Sequence, residues 1–201
     1  MSSPTPADAL LLVNMQNSFC APAGVMYAPF GPALQDIDEI IERCAEVVAF
    51  ARAAHTPVIY FRQVFQPGYA DYGPLEPHVQ RLLVARGGLT AGTWDAAIVD
   101  GLKPADGDLV VDGNRRDAFY GTSLEILLRS MGVRHLALAG VATNSCVETT
   151  ARSAAVRDYA VTVLADCTTS RSSGHRRLSL TTMSEYRIAG IATGGPTLFR
   201  D

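Results

Sequence analysis

The chain has 201 residues, of which 48% are hydrophobic and 18% charged, and its formal net charge is −3. This length and composition predict one domain, residues 1–201, with a sizeable apolar core. The slightly negative charge and the lack of a basic run argue against nucleic acid or an anionic membrane surface as a partner. The first eight residues carry no basic side chain and the apolar run after them is short, so we expect a cytoplasmic protein without a signal peptide or membrane span.

Apolar runs and helical periodicity alternate along the chain. Runs of strand length predict β-strands at 9–13, 57–61, 109–111, 135–139, 160–164 and 187–191. Helical spacing of apolar residues predicts helices at 35–54, 123–131, 145–157 and 172–184. The strands are apolar throughout instead of alternating, which is typical of a parallel sheet covered on both faces. The sequence therefore predicts an α/β fold: a single-domain parallel six-stranded sheet with helices on both faces, a Rossmann-like three-layer sandwich.

Residues 62–92 form a long segment rich in Pro, Gly and Tyr, with little periodicity before 79–84. Loops of this length in compact domains usually carry function, so we expect this segment to shape a pocket.

Cofactor and metal motifs are missing from the sequence. No Gly-x-Gly-x-x-Gly or phosphate-loop pattern opens a helix, which argues against a nucleotide cofactor. The four histidines lack metal-ligand spacing and the four cysteines form no Cys-x-x-Cys pair. We therefore expect no cofactor, no metal and no disulfide framework.

Cys146 lies in the run Gly-Val-Ala-Thr-Asn-Ser-Cys-Val, residues 140–147, between the predicted strand 135–139 and the predicted helix 145–157. Open α/β folds bind ligands at the carboxyl ends of their strands, where this turn would lie. A helix N-terminus also favours thiolate over thiol, so this position predicts a lowered pKa and a reactive nucleophile. The alternative interpretation is a buried structural cysteine, which packs as a small hydrophobe.

The segment 140–151 resembles the nucleophile motif of the isochorismatase-like cysteine hydrolases, a family that includes nicotinamidases, N-carbamoylsarcosine amidohydrolase and ureidoacrylate amidohydrolases. Further segments fit this family in order and spacing: 11–19, 93–95, 102–104, 107–111, 118–124 and 132–136. The resemblance implies hydrolysis of a small-molecule substrate and assembly as a homodimer or homotetramer.

The resemblance also implies a catalytic triad that this chain does not complete. Family members use an Asp as base, a Lys that stabilises charge and a Cys nucleophile, and here Asn14 and Gly113 stand at the first two positions. A register shifted by one residue gives Asn114 in place of Gly113. An amide has no useful basicity and glycine has no side chain, so the constellation is modified. The resemblance further implies a cis peptide bond between Val141 and Ala142, and an oxyanion hole built from the amides of Ala142 and Cys146.

Charged residues beside the missing lysine are the candidate substitutes: Asp112, Arg115, Arg116 and Asp117. Either arginine would supply positive charge and either aspartate would act as a base if it pointed inward. The alternative is a solvated loop with internal ion pairs.

The resemblance assigns substrate-binding positions to Gln16, Phe19, Trp94, Phe119 and Tyr120, and Gly113 would leave space for the substrate. Each aromatic residue is also a plausible core residue.

Two functions fit these observations. The first is an enzyme that uses Cys146 through a modified constellation on an amide, carbamoyl or ester bond, or in a diverged tailoring reaction. The second is a catalytically silent relative that binds a small ligand or a partner protein. Cys146 in an intact motif favours the enzyme, whereas loss of two triad members favours the binder, because such groups act as a unit.

Overall fold

The computed structural model describes residues 6–29, 32–74 and 76–199. Its centre is a sheet of six parallel strands in the order β3-β2-β1-β4-β5-β6. The strands are β1 Ala9–Val13, β2 Val58–Gln63, β3 Leu109–Gly113, β4 His135–Val141, β5 Ala160–Thr169 and β6 Gly190–Ala192. The predicted α/β class with a six-stranded parallel sheet is confirmed.

Across the described ranges, six α-helices connect or cover the strands. They are α1 Asn17–Cys20, α2 Ile37–Ala53, α3 Pro77–Arg86, α4 Leu124–Ser130, α5 Glu148–Ala155 and α6 Ser173–Glu185. Short helical turns lie at Asp100–Leu102, Thr143–Val147 and Pro196–Leu198. Within the described residues, no helix combines the length and the apolar character needed to cross a bilayer.

Several boundaries differ from the sequence-based prediction, and the largest extension is that of β5, which continues to Thr169 instead of ending at 164. The last strand begins at Gly190 and not at 187, because Arg187 has a left-handed backbone with φ 54° and closes the turn after α6. The segment 62–92 contains helix α3, which has Pro77 in its first turn and ends at Gly87 in the left-handed conformation. Leu83 of α3 is buried in a small apolar cluster with Phe65, Tyr69 and Tyr72 of the same segment.

Side chains of β1 alternate between two apolar layers. Leu10 and Leu12 belong to one layer, which α2 covers through residues such as Val47. Leu11 belongs to the opposite layer, which α4 covers through Leu128. Helices therefore lie on both faces, which explains why the central strands are apolar at every position.

The strand order creates a cleft between β1 and β4. The chain runs from β1 outward to β2 and β3, and then crosses to the other side of β1 to form β4. The connections on the two sides therefore leave a crevice at the carboxyl ends of β1 and β4, where ligands bind in open α/β sheets.

Gly140 lets these two strands come together at the cleft. It pairs with Val13 and has φ 109°, and a Cβ at this position would lie 2.1 Å from the carbonyl oxygen of Val13. Any larger residue would have to push β1 and β4 apart.

We expect Gly140→Ala to lower the free energy of unfolding by about 3 kcal/mol or more, because it combines backbone strain with a clash against backbone atoms. Gly132→Ala is the matched control, since Gly132 has φ 70° but open space around it; we expect it to cost about 1 kcal/mol. Urea unfolding measures both. Equal losses in the two variants would show that close approach at Gly140 is not required.

Candidate active site

A cavity of about 310 Å³ opens at the carboxyl ends of β1 and β4 and contains Cys146. We call it the Cys146 cavity. Its polar lining residues are Asn14, Gln63, Glu76, Arg116, Asn144, Ser145, Cys146, Arg171 and His175. Apolar side chains, including those of Phe19, Met26 and Leu34, complete the wall. A small, mainly apolar cavity with a few polar groups is the usual form of a small-molecule site.

Cys146 lies in the helical turn between β4 and α5 and is 7% exposed. Burial raises the pKa of its thiol; the hydrogen bond with Ser145, the positive charge of Arg116 and the amide of Asn14 oppose this rise. The Ser145 hydroxyl lies 3.8 Å from the sulfur. The expectation of a lowered pKa is therefore wrong, because desolvation of the thiolate outweighs the opposing groups.

We expect iodoacetamide to alkylate Cys146 slowly at neutral pH, with a rate that climbs about tenfold per pH unit and continues to rise above pH 9, where a free thiol levels off. Peptide mapping across a pH series measures this rate. Ser145→Ala should move the profile to still higher pH, since it removes a group that lowers the thiol pKa. A plateau below pH 8 would contradict the raised pKa.

Asn14 faces Cys146 from the end of β1. It follows Val13 directly, has a left-handed backbone with φ 53°, which Asn tolerates well, and is 1% exposed. Its side-chain Nδ2 and Oδ1 atoms are both buried and form no hydrogen bond with the described residues while Cys146 is a neutral thiol. The amide would donate to the thiolate form, which is how it lowers the pKa of Cys146. Such an unpaired amide is costly to bury, so it indicates a group that a ligand satisfies. The expected common cleft for Asn14 and Cys146 is confirmed.

The backbone beside Cys146 also lines the cavity. The peptide bond between Val141 and Ala142 is cis, as the family resemblance implies. Ala142 and Cys146 both contribute to the wall.

Arg116 reaches the Cys146 cavity from the turn after β3. Of the four predicted charged residues, it is the one whose charge lowers the pKa of Cys146. Its guanidinium donates to the carboxylate of Glu76, which also lines the cavity. The pair lies at the rim, with the Arg116 side chain 54% and the Glu76 side chain 43% exposed.

The other three predicted charged residues do not line the Cys146 cavity. Asp112 forms a two-bond ion pair with Arg62, each bond 2.7 Å long, on the exposed side of β3. The Asp117 carboxylate accepts from the Ser153 hydroxyl and from the amide of Phe119. Arg115 donates to backbone carbonyls and lines a different cavity. Either aspartate was expected to act as a base only if it pointed into the cavity, and neither carboxylate lines it, because partners on their own side hold both.

Gly113 does not leave the space expected for a substrate. A Cβ at this position would lie 2.8 Å from the ring of Phe61 and 2.8 Å from the methyl group of Thr122. Two neighbouring side chains therefore occupy the space beside Gly113, and the residue does not line the Cys146 cavity.

Of the predicted substrate-binding side chains, Phe19 lines the Cys146 cavity and the others do not. Gln16 is fully buried and its side chain bonds to the backbone of Gln63 and Ala96, so it has a structural role. Phe119 packs in the core with Tyr159, at 5.8 Å between ring centroids.

The two remaining aromatic residues are exposed. Trp94 is 54% exposed and lies away from the cavity. Tyr120 is 62% exposed and lines a neighbouring cavity. The sequence predicts both as substrate-binding residues from their positions along the chain. Position alone does not determine the direction of a side chain in an irregular loop, which is why neither lines the Cys146 cavity.

Three charged or imidazole side chains of the cavity, those of Glu76, Arg171 and His175, were not predicted from the sequence. Glu76 comes from the 62–92 loop, whose expected role in shaping the pocket is confirmed. His175 comes from the first turn of α6. The half-buried Arg171 guanidinium donates to the carbonyls of Met26 and Tyr27 and so holds the segment that carries them over the cavity. No spacing pattern in the sequence marks these three residues as parts of one site. The only signal was the length of the 62–92 loop, which contains Glu76.

The other cysteines, Cys20, Cys44 and Cys167, are free thiols in the α2-side core. Burial raises the pKa of Cys20, and the hydrogen bond with Cys44 together with burial raises that of Cys167. Among the described residues, no three His, Cys, Asp or Glu side chains are grouped so that they could hold a metal ion.

The fold and site together define an open α/β protein with a cysteine and a buried amide in the cleft of its sheet. The Isochorismatase domain family model matches residues 8–194. Ureidoacrylate amidohydrolase RutB of Methylorubrum extorquens strain AM1 is 36% identical over 178 residues, which cover 81% of this chain and 69% of the relative.

Solved structures agree with this match. A cysteine hydrolase from Pseudomonas syringae pv. phaseolicola superposes with a TM-score of 0.84 at 26% identity, covering 96% of this chain and 92% of that one. An isochorismatase family protein from Desulfovibrio vulgaris gives a TM-score of 0.83 at 29% identity, covering 94% and 95%. The chain belongs to the isochorismatase family.

Proposed function

We propose that this protein hydrolyses an amide-type bond, in a carboxamide or ureido group of a small molecule, with Cys146 as the nucleophile. The observation that carries the proposal is the juxtaposition of Cys146 with the unpaired amide of Asn14 in one small cavity. The relatives named as amidohydrolase and cysteine hydrolase support the same chemistry.

The reaction needs a base for the thiol proton, because the pKa of Cys146 is raised. Among the described lining residues, the only carboxylate is that of Glu76 and the only imidazole is that of His175. We propose that one of these two groups accepts the proton of the Cys146 thiol. The sulfur then bonds to the substrate carbonyl carbon, the carbon–nitrogen bond breaks and the amine leaves with the proton. Water hydrolyses the thioester, releasing the acid and the free thiol.

Two features would stabilise charge during this reaction. The amides of Ala142 and Cys146 are the proposed donors to the oxyanion, and one such donor is typically worth about 3 kcal/mol. Arg116 contributes positive charge, since it already lowers the pKa of the Cys146 thiol. Its exposure at the rim weakens that contribution relative to a buried cation.

Asn14 would bind the amide part of the substrate. Its Nδ2 hydrogens suit the thiolate, because the Asn14 amide lowers the pKa of Cys146. Its Oδ1 atom is then free to accept a hydrogen bond from a substrate N–H. An ester has no such hydrogen, so this arrangement favours amides and ureido compounds over esters.

The alternative is a catalytically silent protein that binds a small ligand in the same cavity. The replacement of two triad members by Asn14 and Gly113 favours it.

We also keep the prediction of a homodimer or homotetramer, which light scattering on the purified protein checks.

The experiment is a hydrolysis assay on ureidoacrylate, N-carbamoylsarcosine and nicotinamide. Cys146→Ala should abolish any turnover, and Arg116→Ala should lower kcat/KM by roughly tenfold. Arg62→Ala is the matched control, since Arg62 pairs with Asp112 outside the cavity. Glu76→Gln and His175→Asn identify the base by their effect on the pH profile. If Cys146→Ala leaves ligand affinity within about 1 kcal/mol and no compound is hydrolysed, the protein is a binder.

We expect Asn14→Gly to lower kcat/KM by about 100-fold while leaving the free energy of unfolding unchanged or higher. The substitution removes two unpaired buried polar atoms, and glycine suits the left-handed backbone.

Asn17→Ala is the matched control, because the Asn17 amide donates to the carbonyl of Trp94 at 2.9 Å. We expect it to lower the free energy of unfolding by about 1 kcal/mol with little effect on kcat. Chemical unfolding and steady-state kinetics measure both quantities. Full activity in Asn14→Gly would exclude a substrate-binding role for Asn14.

A further inference from the structure

A pocket of about 460 Å³ lies at the amino ends of two neighbouring strands, and we call it the arginine pocket. Apart from Arg129, its lining residues directly precede these strands: 132–134 come before β4, and 157–159 come before β5. The Cys146 cavity lies at the opposite, carboxyl ends of the parallel strands. The arginine pocket is therefore separate from the candidate active site.

Three arginine side chains line this pocket: Arg129, Arg134 and Arg157. Glu125 accepts hydrogen bonds from Arg129 and Arg157 and so neutralises one positive charge. The carboxylate of Asp158, also part of the lining, offsets another. The Arg134 guanidinium forms no ion pair within the described residues. The pocket therefore keeps a net positive charge.

This charge exceeds what the neighbouring helix ends require. Helices α4 and α5 both end beside the pocket, and cations stabilise helix C-termini. Arg129 lies in the last turn of α4 and serves this purpose there. The backbone amides of Gly132 and Tyr159 also bond to the carbonyls of Arg129 and Ala154. Since Arg134 lies beyond both helices, a helix end does not account for its charge.

Arg157 is held in place by contacts on several sides. Its Nε donates to Glu125 at 3.0 Å, and its Nη1 donates to the carbonyl and hydroxyl oxygens of Ser153. The guanidinium also lies over the Phe119 ring, 5.0 Å from the ring centroid. Its Nη2 forms no hydrogen bond with the described residues. A guanidinium fixed in this way loses little side-chain entropy when its free donors bind an anion.

The Tyr159 hydroxyl is an independent indication of a ligand. Tyr159 lines the pocket and is 7% exposed, and its buried hydroxyl forms no hydrogen bond with the described residues. Burial raises the pKa of this hydroxyl, while the charges of Arg129 and Arg157 act on it in the opposite direction. The hydroxyl therefore keeps its proton at neutral pH and is a donor. A buried donor without a partner is costly, and an anion beside it would satisfy it.

The arrangement of these donors favours an oxyanion with more than two oxygen atoms. Arg134 precedes β4 whereas Arg157 and Tyr159 precede β5, so their donors do not form one flat fork. A planar carboxylate matches a single guanidinium, whereas the tetrahedral oxygens of a phosphate can accept from several groups. Arg129 can join them, since its ion pair with Glu125, with side chains 64% and 34% exposed, is weak enough to separate.

We infer that the arginine pocket binds phosphate, either as the free ion or as the phosphoryl group of a small molecule, with Arg134, Arg157 and Tyr159 as donors. This site is independent of the proposed function, because it lies at the opposite edge of the sheet and its occupation requires no hydrolysis.

The test is calorimetric titration of the full chain with inorganic phosphate at constant ionic strength. Acetate is the planar probe and glycerol 3-phosphate is the phosphomonoester. We expect one phosphate per chain, bound at least about tenfold more tightly than acetate. Tighter binding of glycerol 3-phosphate than of phosphate would support the site and identify a phosphorylated small molecule as its ligand. Weaker binding would support the site with the free ion as its ligand.

Two variants test the donors separately. Arg134→Ala should lower phosphate affinity by about tenfold or more and leave the free energy of unfolding unchanged, since Arg134 is exposed. Tyr159→Phe should also lower phosphate affinity by about tenfold, while stability stays the same or rises because an unpartnered buried hydroxyl is removed. A purely structural tyrosine would leave phosphate affinity unchanged. Arg177→Ala and Tyr186→Phe are the matched controls, since both residues are exposed and neither lines the arginine pocket.

The inference would be overturned if the wild type bound no phosphate, or if the wild type, Arg134→Ala and Tyr159→Phe bound it equally. Loss of binding in Arg116→Ala alone would also overturn it, because the phosphate would then occupy the Cys146 cavity. Phosphate binding that depends on Arg134 and Tyr159, without hydrolysis of any amide, would support this site and count against the proposed hydrolase. Hydrolysis that depends on Cys146, without phosphate binding, would do the opposite.

Discussion

The close approach of β1 and β4 at Gly140 is the constraint on which the site depends. Val13 and Gly140 are paired in the sheet, so the chain leaves the two strands at the same level, as Asn14 on one side and Ala142 on the other. Cys146 then follows within one helical turn. A side chain at position 140 would separate these groups, because it would collide with the backbone of Val13.

Burial sets the chemistry of this site. It raises the pKa of the Cys146 thiol and leaves the amide of Asn14 without a partner. An unpaired buried amide lowers the stability of the protein unless a bound molecule satisfies it. Functional sites commonly keep such unsatisfied groups at some expense of stability.

The sheet and the two central residues of the site, Cys146 and Asn14, were predictable from the sequence. The other side chains that line the cavity were not. Buried strands have a clear pattern, and the motif around Cys146 resembles a known nucleophile turn, which also led to Asn14. Arg115 and Arg116 are neighbours in a loop after β3, yet only Arg116 lines the Cys146 cavity, a difference that depends on local backbone angles and not on spacing. The space expected beside Gly113 is absent because Phe61 and Thr122, distant in the sequence, fill it.

One physical argument explains why Asn14 and Gly113 occur together at the two replaced triad positions. A carboxylate at position 14 would be almost completely buried, and its desolvation would be costly without a cation beside it. Since the side chains packed around Gly113 leave no room for a lysine, a neutral amide at Asn14 avoids that penalty. The ion pair of Arg116 with Glu76 lies instead at the rim of the cavity, where water solvates both charges.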